Sequence, residues 1–269
     1  MSTQVDLFTN VEPTSVSPAI AKPFVSRSTF YQGDCLVEMD KIEDKSVDMI
    51  LCDLPYGTTA CKWDSVIPFE PLWSQYERII KDNGAIVLTA TQPFTSSLII
   101  SNIEIFRYEW IWEKERGVNF LFANKQPMKV HENVCVFYKK QPTYNPQKTE
   151  GNKPVNSRGS RGKGNREEYD ALWTSVVRNE SEKTTMKYPR TVVEFNSISR
   201  GLNVHPTQKP VELMEYLILT YTNEGETILD NCMGSGTTGV AAKKTGRNFV
   251  GIEQDEKYFN LAVKRIFDA

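Results

Sequence analysis

The chain has 269 residues, enough for one α/β domain with a sizeable core, alone or carrying a smaller insertion. Charged residues at 25% and hydrophobic residues at 39% are ordinary globular proportions, which excludes a disordered chain, and no apolar run approaches the roughly 18 residues a membrane-spanning helix needs. The formal net charge of −2 hides an asymmetry: residues 107–166 hold 13 Lys/Arg against 5 Asp/Glu, so that segment is +8 and the remainder is −10.

Residues 1–27 are polar and proline-bearing without an apolar period and read as a loose arm. The first ten residues include Asp6 and lack a basic start followed by an apolar stretch, so no secretory signal is visible and an intracellular location is expected. A short strand at 30–33 and a helix-like stretch lead to an apolar run, 47–52, that ends at Asp53 and reads as a buried strand of a mostly parallel sheet. Residues 68–82 place Phe69, Leu72, Trp73, Tyr76, Ile79 and Ile80 at helical spacing, closed by Asn83 and Gly84, and 84–90 is the next strand.

Further strands are predicted at 108–112 and 134–138, with the basic region between and after them. Residues 141–166 are rich in Pro, Gly, Asn and basic side chains and read as a flexible basic loop; 141–203 is too long for a bare connector and is expected to hold a second globular element. A helix at 210–221, a strand at 227–232, a helix at 238–244, a strand at 248–253 and a helix at 256–267 complete the chain. Strands alternating with helices predict a doubly wound α/β sheet, and no internal repeat is present. Five scattered cysteines (Cys35, Cys52, Cys61, Cys135, Cys232), no C-x-x-C pair and only two histidines point to free thiols and to no metal site.

Two elements carry chemistry. Residues 230–239 join a strand to a helix with the G-x-G-x-x-G spacing of Gly234, Gly236 and Gly239, and the acidic Glu253 ends the next strand. That pattern suits close backbone approach to a nucleotide-like cofactor whose ribose hydroxyls the acid would bind; from this loop alone a nicotinamide cofactor, and hence an oxidoreductase, stays open. The second element, Asp53-Leu54-Pro55-Tyr56-Gly57, stands at the carboxyl end of a buried strand, where open α/β sheets bind ligands. An exocyclic base amine is a poor nucleophile because its lone pair is delocalised into the ring. The Asp53 carboxylate and the Leu54 carbonyl could accept its two N–H groups while Tyr56 stacks on the ring. Such a base must leave the duplex to be reached, at a cost of a few kcal/mol that stacking would partly offset. The run Lys153, Arg158, Arg161, Lys163 and Arg166, with no acid between Gly151 and Arg166, fits phosphate contacts.

Together these elements resemble the DNA amino-methyltransferases that act on adenine N6 or cytosine N4, of the phage and restriction-modification kind, whose usual motifs are Asp/Asn/Ser-Pro-Pro-Tyr/Phe and Asp-x-Phe-x-Gly-x-Gly-Thr. The catalytic element precedes the cofactor loop, which resembles the permuted (β) group. Three further segments join the resemblance. Gly33-Asp34-Cys35-Leu36 is similar to the segment that places an acid near the cofactor adenine. Trp110 to Lys114, with His131-Glu132-Asn133, is similar to the strand pair lining the base pocket. His205-Pro206-Thr207-Gln208-Lys209-Pro210 is similar to the signature that meets the cofactor's methionine carboxylate. Leu54 replaces the family's first proline, and Cys232 stands where phenylalanine is usual.

The resemblance implies a Rossmann-like, seven-stranded methyltransferase sheet in circularly permuted motif order with an inserted target-recognition region. Its parts would be an arm at 1–27, a catalytic half at 28–140, the insertion at 141–203 and a cofactor half at 204–269. It implies S-adenosylmethionine as cofactor, held by Asp34, Asp53, His205, Thr207, Lys209, Asp230, Cys232, Gly234, Ser235, Gly236, Thr237, Glu253 and Gln254, with Asp53, Leu54, Pro55 and Tyr56 catalytic. It also implies double-stranded DNA as substrate, in the cytoplasm of a bacterial or phage-infected cell, and leaves room for a homodimer and a cognate restriction nuclease. In this family an initial Asp favours adenine and an initial Ser cytosine N4, so Asp53 points to adenine N6. Cytosine N4, an RNA substrate and a nucleic-acid-binding module without turnover remain the alternatives.

Overall fold

The structure, a computed structural model, describes residues 26–57, 64–151, 185–197 and 208–269. In chain order its elements are β1 (Ser28–Gln32), α1 (Cys35–Glu38), β2 (Val47–Asp53), α2 (Phe69–Ile79), β3 (Ile80–Ala90), α3 (Phe94–Ser101), β4 (Phe106–Val118), β5 (Lys129–Phe137), β6 (Thr149–Glu150), β7 (Met186–Lys187), β8 (Val192–Glu194), α4 (Val211–Tyr221), β9 (Thr227–Asp230), α5 (Thr237–Lys244), β10 (Asn248–Glu253) and α6 (Glu256–Asp268). Among the described residues no helix is long and apolar enough to cross a membrane.

The main sheet runs β1-β10-β9-β2-β3-β5-β4-β8. Strands β1, β10, β9, β2 and β3 are parallel; β5 is antiparallel to both β3 and β4; β8 lies parallel to β4. The α/β class and the doubly wound, largely parallel sheet are as expected. The strand count is corrected: among the described residues the sheet has eight strands, not seven. The outer edge of β4 would otherwise leave its backbone unpaired, and β8 covers it with Val192 and Val193 in register with Ile111 and Trp112. Part of the segment expected as a separate insertion is therefore built into the sheet.

Side-chain alternation along β2 divides the core into two layers. Ile50 and Cys52 point to the side covered by α2 and α3, with Leu72, Tyr76 and Leu98; Met49 and Leu51 point to the side covered by α4 and α5, with Leu213, Leu217 and Ala241. The strand is buried on both faces, which is why it reads as an unbroken apolar run. Helix α2 ends at Ile79, three residues before the sequence expectation, because Ile80 already pairs with Val47 in the sheet. Gly84 is suited to the irregular stretch that follows, since a Cβ there would come within 2.6 Å of the Ile80 side chain and 2.8 Å of the Asp48 carbonyl.

The strand order places the site. From β2 the sheet extends outward through β3, β5 and β4; from β9 it extends the other way through β10, with β1 at the far edge. The reversal falls between β2 and β9, and ligands of open α/β sheets bind outside the carboxyl ends of the strands at such a switch point. Residues 28–38, read in sequence with the catalytic half, lie beside β10: each residue of β1 is in register with one of 249–253, and the Gly33 N–H donates to the Glu253 carbonyl.

A buried hydrogen bond fixes the loop after β9: the Tyr76 hydroxyl of α2 donates to Asn231 Oδ1 at 2.6 Å, and neither side chain is more than 1% exposed. Tyr76→Phe strands that acceptor and is expected to cost about 1 to 3 kcal/mol. Urea unfolding should show a lower midpoint at unchanged slope; an unchanged midpoint would contradict the role given to this bond.

Candidate active site

A cleft of about 1560 Å³ opens over the carboxyl ends of β2 and β9. It is lined at one end by Asp53, Leu54, Pro55, Tyr56, Trp112, Lys114, Glu132 and Lys209, and at the other by Asp34, Asp230, Cys232, Gly234, Ser235, Thr237, Glu253 and Gln254. The two elements singled out in the sequence, 174 residues apart between Tyr56 and Asp230, thus face one space.

Asp53 accepts three hydrogen bonds from within the protein. Its Oδ1 accepts from the Tyr56 hydroxyl at 2.5 Å and from the Thr89 hydroxyl, and its Oδ2 accepts from Lys209 Nζ at 2.6 Å. Thr89 is available because β2 and β3 run in register, Asp53 opposite Thr89. Lys209 lies with its side chain 7% exposed, 3.4 Å from Glu132 Oε2, while Glu132 Oε1 accepts from Lys114. Burial alone would lower the Lys209 pKa; the carboxylates of Asp53 and Glu132 outweigh it and hold the ammonium above its ordinary value. Burial likewise opposes ionisation of Glu132, and Lys209 and Lys114 reverse it, so its pKa is depressed. Burial and the neighbouring Asp53 push the Tyr56 phenol well above its usual range, which keeps it a neutral donor. The outcome is an alternating chain, Lys114, Glu132, Lys209, Asp53, in which each charge meets an opposite one.

A carboxylate offers about four acceptor positions. Two of Asp53's, on Oδ1, and one, on Oδ2, are filled from within the protein. Among the described residues that leaves one acceptor position, on Oδ2, and Asp53 and Leu54 both line the cleft.

The glycine-loop end has a different balance. Gly234 and Gly236 have φ of 51° and 80°, left-handed values that favour glycine. Gly234 lines the cleft; Gly236 does not, since a Cβ there would meet Ala262 of α6 at 2.9 Å. Gly239 sits inside α5 against Ile266 and Phe249, where a Cβ would approach to 2.3 and 2.7 Å. Of the three glycines in the motif, one borders the ligand space and two let the helices pack.

Glu253 accepts the Gly234 N–H on Oε2 and the Asp255 N–H on Oε1, both at 2.8 Å, which pins the loop to β10. Burial raises its pKa. Asp230, 3% exposed, accepts the Cys232 N–H at 3.1 Å, and burial pushes it up to about 6 with no cation among the groups acting on it. A buried acid with no counter-ion among the described residues, a second acid bordering the cleft and a loop able to approach closely suit a ligand that brings hydroxyl or ammonium donors and positive charge. That is the donor set of S-adenosylmethionine, so the residues present fit the cofactor expected from the sequence.

The structure thus gathers Asp34, Asp53, Leu54, Pro55, Tyr56, Lys209, Asp230, Cys232, Gly234, Ser235, Thr237, Glu253 and Gln254 around one cleft, and turns Gly236 away from it. Lys209, expected with the cofactor, lines the cleft and is bonded there to Asp53. His205, Thr207, Lys153, Arg158, Arg161, Lys163 and Arg166 lie outside the described residues. Thr89 is absent from the sequence expectations; its signal is a polar side chain directly after the apolar run 85–88, and the structure buries it fully. Asp64 was missed as well, and its carboxylate accepts the Gly57 N–H at 2.8 Å.

A family model described as DNA methylase matches residues 47–264 of this chain. The chain is 28% identical to the Type II methyltransferase M1.MboII of Moraxella bovis over 265 residues, covering 86% of this chain and 94% of that one. Among solved structures it is similar to the M1.HpyAVI–SAM complex (TM-score 0.60, 24% identity, 89% of this chain and 98% of that one). It is also similar to the PvuII DNA methyltransferase (cytosine-N4-specific), with TM-score 0.63, 15% identity, and 90% and 86% of the two chains covered. These structural likenesses establish the fold.

The raised pKa of Asp230 has a stability consequence. With a folded value of about 6 against roughly 3.9 unfolded, the folded state binds more protons between those pH values, so stability falls as pH rises from about 4 to 6. The loss is on the order of 3 kcal/mol. Asp230→Asn, which keeps an oxygen for the Cys232 N–H, should lack this loss; parallel urea midpoints for variant and wild type from pH 4 to 7 would contradict it.

Proposed function

We propose that adenine N6 in double-stranded DNA is the methyl acceptor for this chain, which belongs to the N6/N4 DNA methylase family and is a DNA amino-methyltransferase using S-adenosylmethionine. The observation that carries the reading is the Asp53 carboxylate at the end of β2, held by three internal donors and lining the cleft beside Leu54 and Tyr56.

The chain's own residues do four things in this account. Asp53 Oδ2 accepts one N–H of the target amine and the Leu54 carbonyl the other, which draws the nitrogen out of conjugation toward tetrahedral geometry. The same carboxylate and carbonyl dipole stabilise the positive charge that develops on that nitrogen. Tyr56, which lines the cleft and packs against Phe94 with ring centroids 5.2 Å apart, supports the base. At the other end Asp230, Glu253 and Asp34 hold the cofactor's donor groups, Asp34 from the start of α1, where its side chain already accepts the Leu36 N–H. When bound, S-adenosylmethionine supplies an electrophilic methyl on a positively charged sulfur. Holding both partners in one cleft converts a bimolecular encounter into an oriented one, and no metal is needed.

The choice of adenine rests on Asp53 as the first residue of the catalytic element, the form that the family resemblance associates with adenine N6; Ser there would have favoured cytosine N4. Because the amine is inaccessible within a duplex, the base enters the cleft flipped.

The test is incubation of the purified protein with S-adenosylmethionine and unmethylated DNA, followed by digestion to nucleosides and mass spectrometry. N6-methyladenine is expected, and Asp53→Ala should reduce its rate of formation on the order of a hundredfold or more, as loss of a charge-stabilising group does. N4-methylcytosine would keep the mechanism and overturn the base. No methylated base on DNA, with methylation of RNA instead, would move the substrate; no transfer to either would leave a nucleic-acid-binding module.

A further inference from the structure

Strands β4 and β5 do not stop at the edge of the sheet. Beyond the pair Glu113 and His131 the ribbon continues to Val118 opposite Lys129, and residues 119–128 close it with a 3-10 turn at Phe120–Phe122. Six large apolar side chains stand exposed within this one tip: Phe120 at 77%, Leu121 at 92%, Phe122 at 50%, Val118 at 43%, Met128 at 38% and Val130 at 40%. Single exposed apolar residues are ordinary; a contiguous cluster marks a contact surface.

Two observations say what the cluster meets. Residues 114–130 carry Lys114, Arg116, Lys125 and Lys129 against the single acid Glu115, so the apolar tip has a basic shaft. The shaft is also continuous with the active cleft, since Lys114, Glu115, Arg116, Gly117 and Val118 line it together with Asp53 and Glu132. Between the pairs Glu113–His131 and Val118–Lys129 the register shifts, so β4 bulges and the end of the ribbon stands on the order of 10 Å out from the Lys114–Glu132 pair. A two-stranded ribbon fits the major groove of B-DNA, basic side chains meet phosphates, and Phe, Leu and Met are the side chains that proteins wedge between base steps.

We propose that the Phe120–Phe122 tip of the β4–β5 ribbon is a wedge that enters the duplex at the target base pair and fills the space the flipped base leaves. The inference rests on the DNA-methyltransferase reading of the same cleft. Inserted apolar side chains would replace the stacking lost when the base leaves, so the tip acts on flipping and not on methyl transfer itself.

The test uses the full chain with Phe120→Ser and Leu121→Ser combined, positions whose exposure makes folding insensitive to them. Sites methylated by the wild type are mapped, and a duplex bearing one is compared with the same duplex in which the target base is mispaired and therefore cheaper to flip. On the paired duplex the variant is expected to lose on the order of tenfold to a hundredfold in single-turnover rate. On the mispaired duplex it should stay within about twofold of wild type, with S-adenosylmethionine affinity unchanged. The fluorescence of 2-aminopurine at the target position should rise on binding wild type and not on binding the variant.

Equal loss on both duplexes, or no loss on either, overturns the wedge. A change of oligomeric state in the variant also overturns it, by making the tip a contact between copies of this chain. If the wild type itself methylates no DNA, the functional reading fails, and that result is separate because it needs no variant.

Discussion

A carboxylate at the end of a buried strand is costly to keep ionised unless its oxygens are met, and the active site depends on how this structure meets those of Asp53. Three donors come from three different places in the sequence: Tyr56 from the turn that follows β2, Thr89 from the neighbouring strand, and Lys209 from the segment leading into α4. Lys209 in turn needs Glu132, and Glu132 needs Lys114, so β4 and β5 are tied to the same point. Removing one partner from such a buried chain typically costs about 3 to 5 kcal/mol, because it strands the other charge. The arrangement therefore fixes where Asp53 points before any substrate arrives, which is the preorganisation that electrostatic stabilisation requires.

The two ends of the cleft divide the work by charge. At the β2–β3–β5–β4 end, cations and carboxylates are matched, and among the described residues Asp53 keeps one acceptor position. At the β9–β10 end, Asp230 and Glu253 are raised by burial, and among the described residues neither has an ion pair with a cation. An end with unmatched acid attracts a cationic cofactor, and an end with a matched carboxylate can accept neutral N–H groups without losing its own anchoring. Because the strand order reverses between β2 and β9, both ends border one space.

Much of this was legible in the sequence, for a physical reason. Strands β2 and β10 are buried from both sides and read as apolar runs with sharp ends; β10 lies at the predicted 248–253 and β2 at 47–53. The acids Asp53 and Glu253 stand at those ends, where the chain leaves the core. Other features depend on contacts between distant segments. Helix α3, with its Ser- and Ile-rich Phe94–Ser101, has no clean polar face and was not anticipated. The ribbon beyond Lys114 is largely exposed and lacks the apolar alternation that reveals a half-buried strand, so β4 and β5 are read from the sequence as much shorter than 106–118 and 129–137. Strand β8 exists because β4 offers an edge. Gly236 and Gly239 fit the cofactor spacing, yet serve helix packing, a distinction that only the position of α6 reveals.

The most direct measurement of the central claim is a crystal structure of the protein with duplex DNA and S-adenosylhomocysteine, the demethylated form of the cofactor. The account predicts an extrahelical adenine whose N6 lies about 3 Å from Asp53 Oδ2 and from the Leu54 carbonyl, with Lys209 still bonded to Asp53 and the cofactor's sulfur on the Asp230 side of the cleft. A base amine bound elsewhere, or an Asp53 that breaks from Lys209 and Thr89 to reach it, would contradict the claim that one preorganised acceptor position carries the reaction.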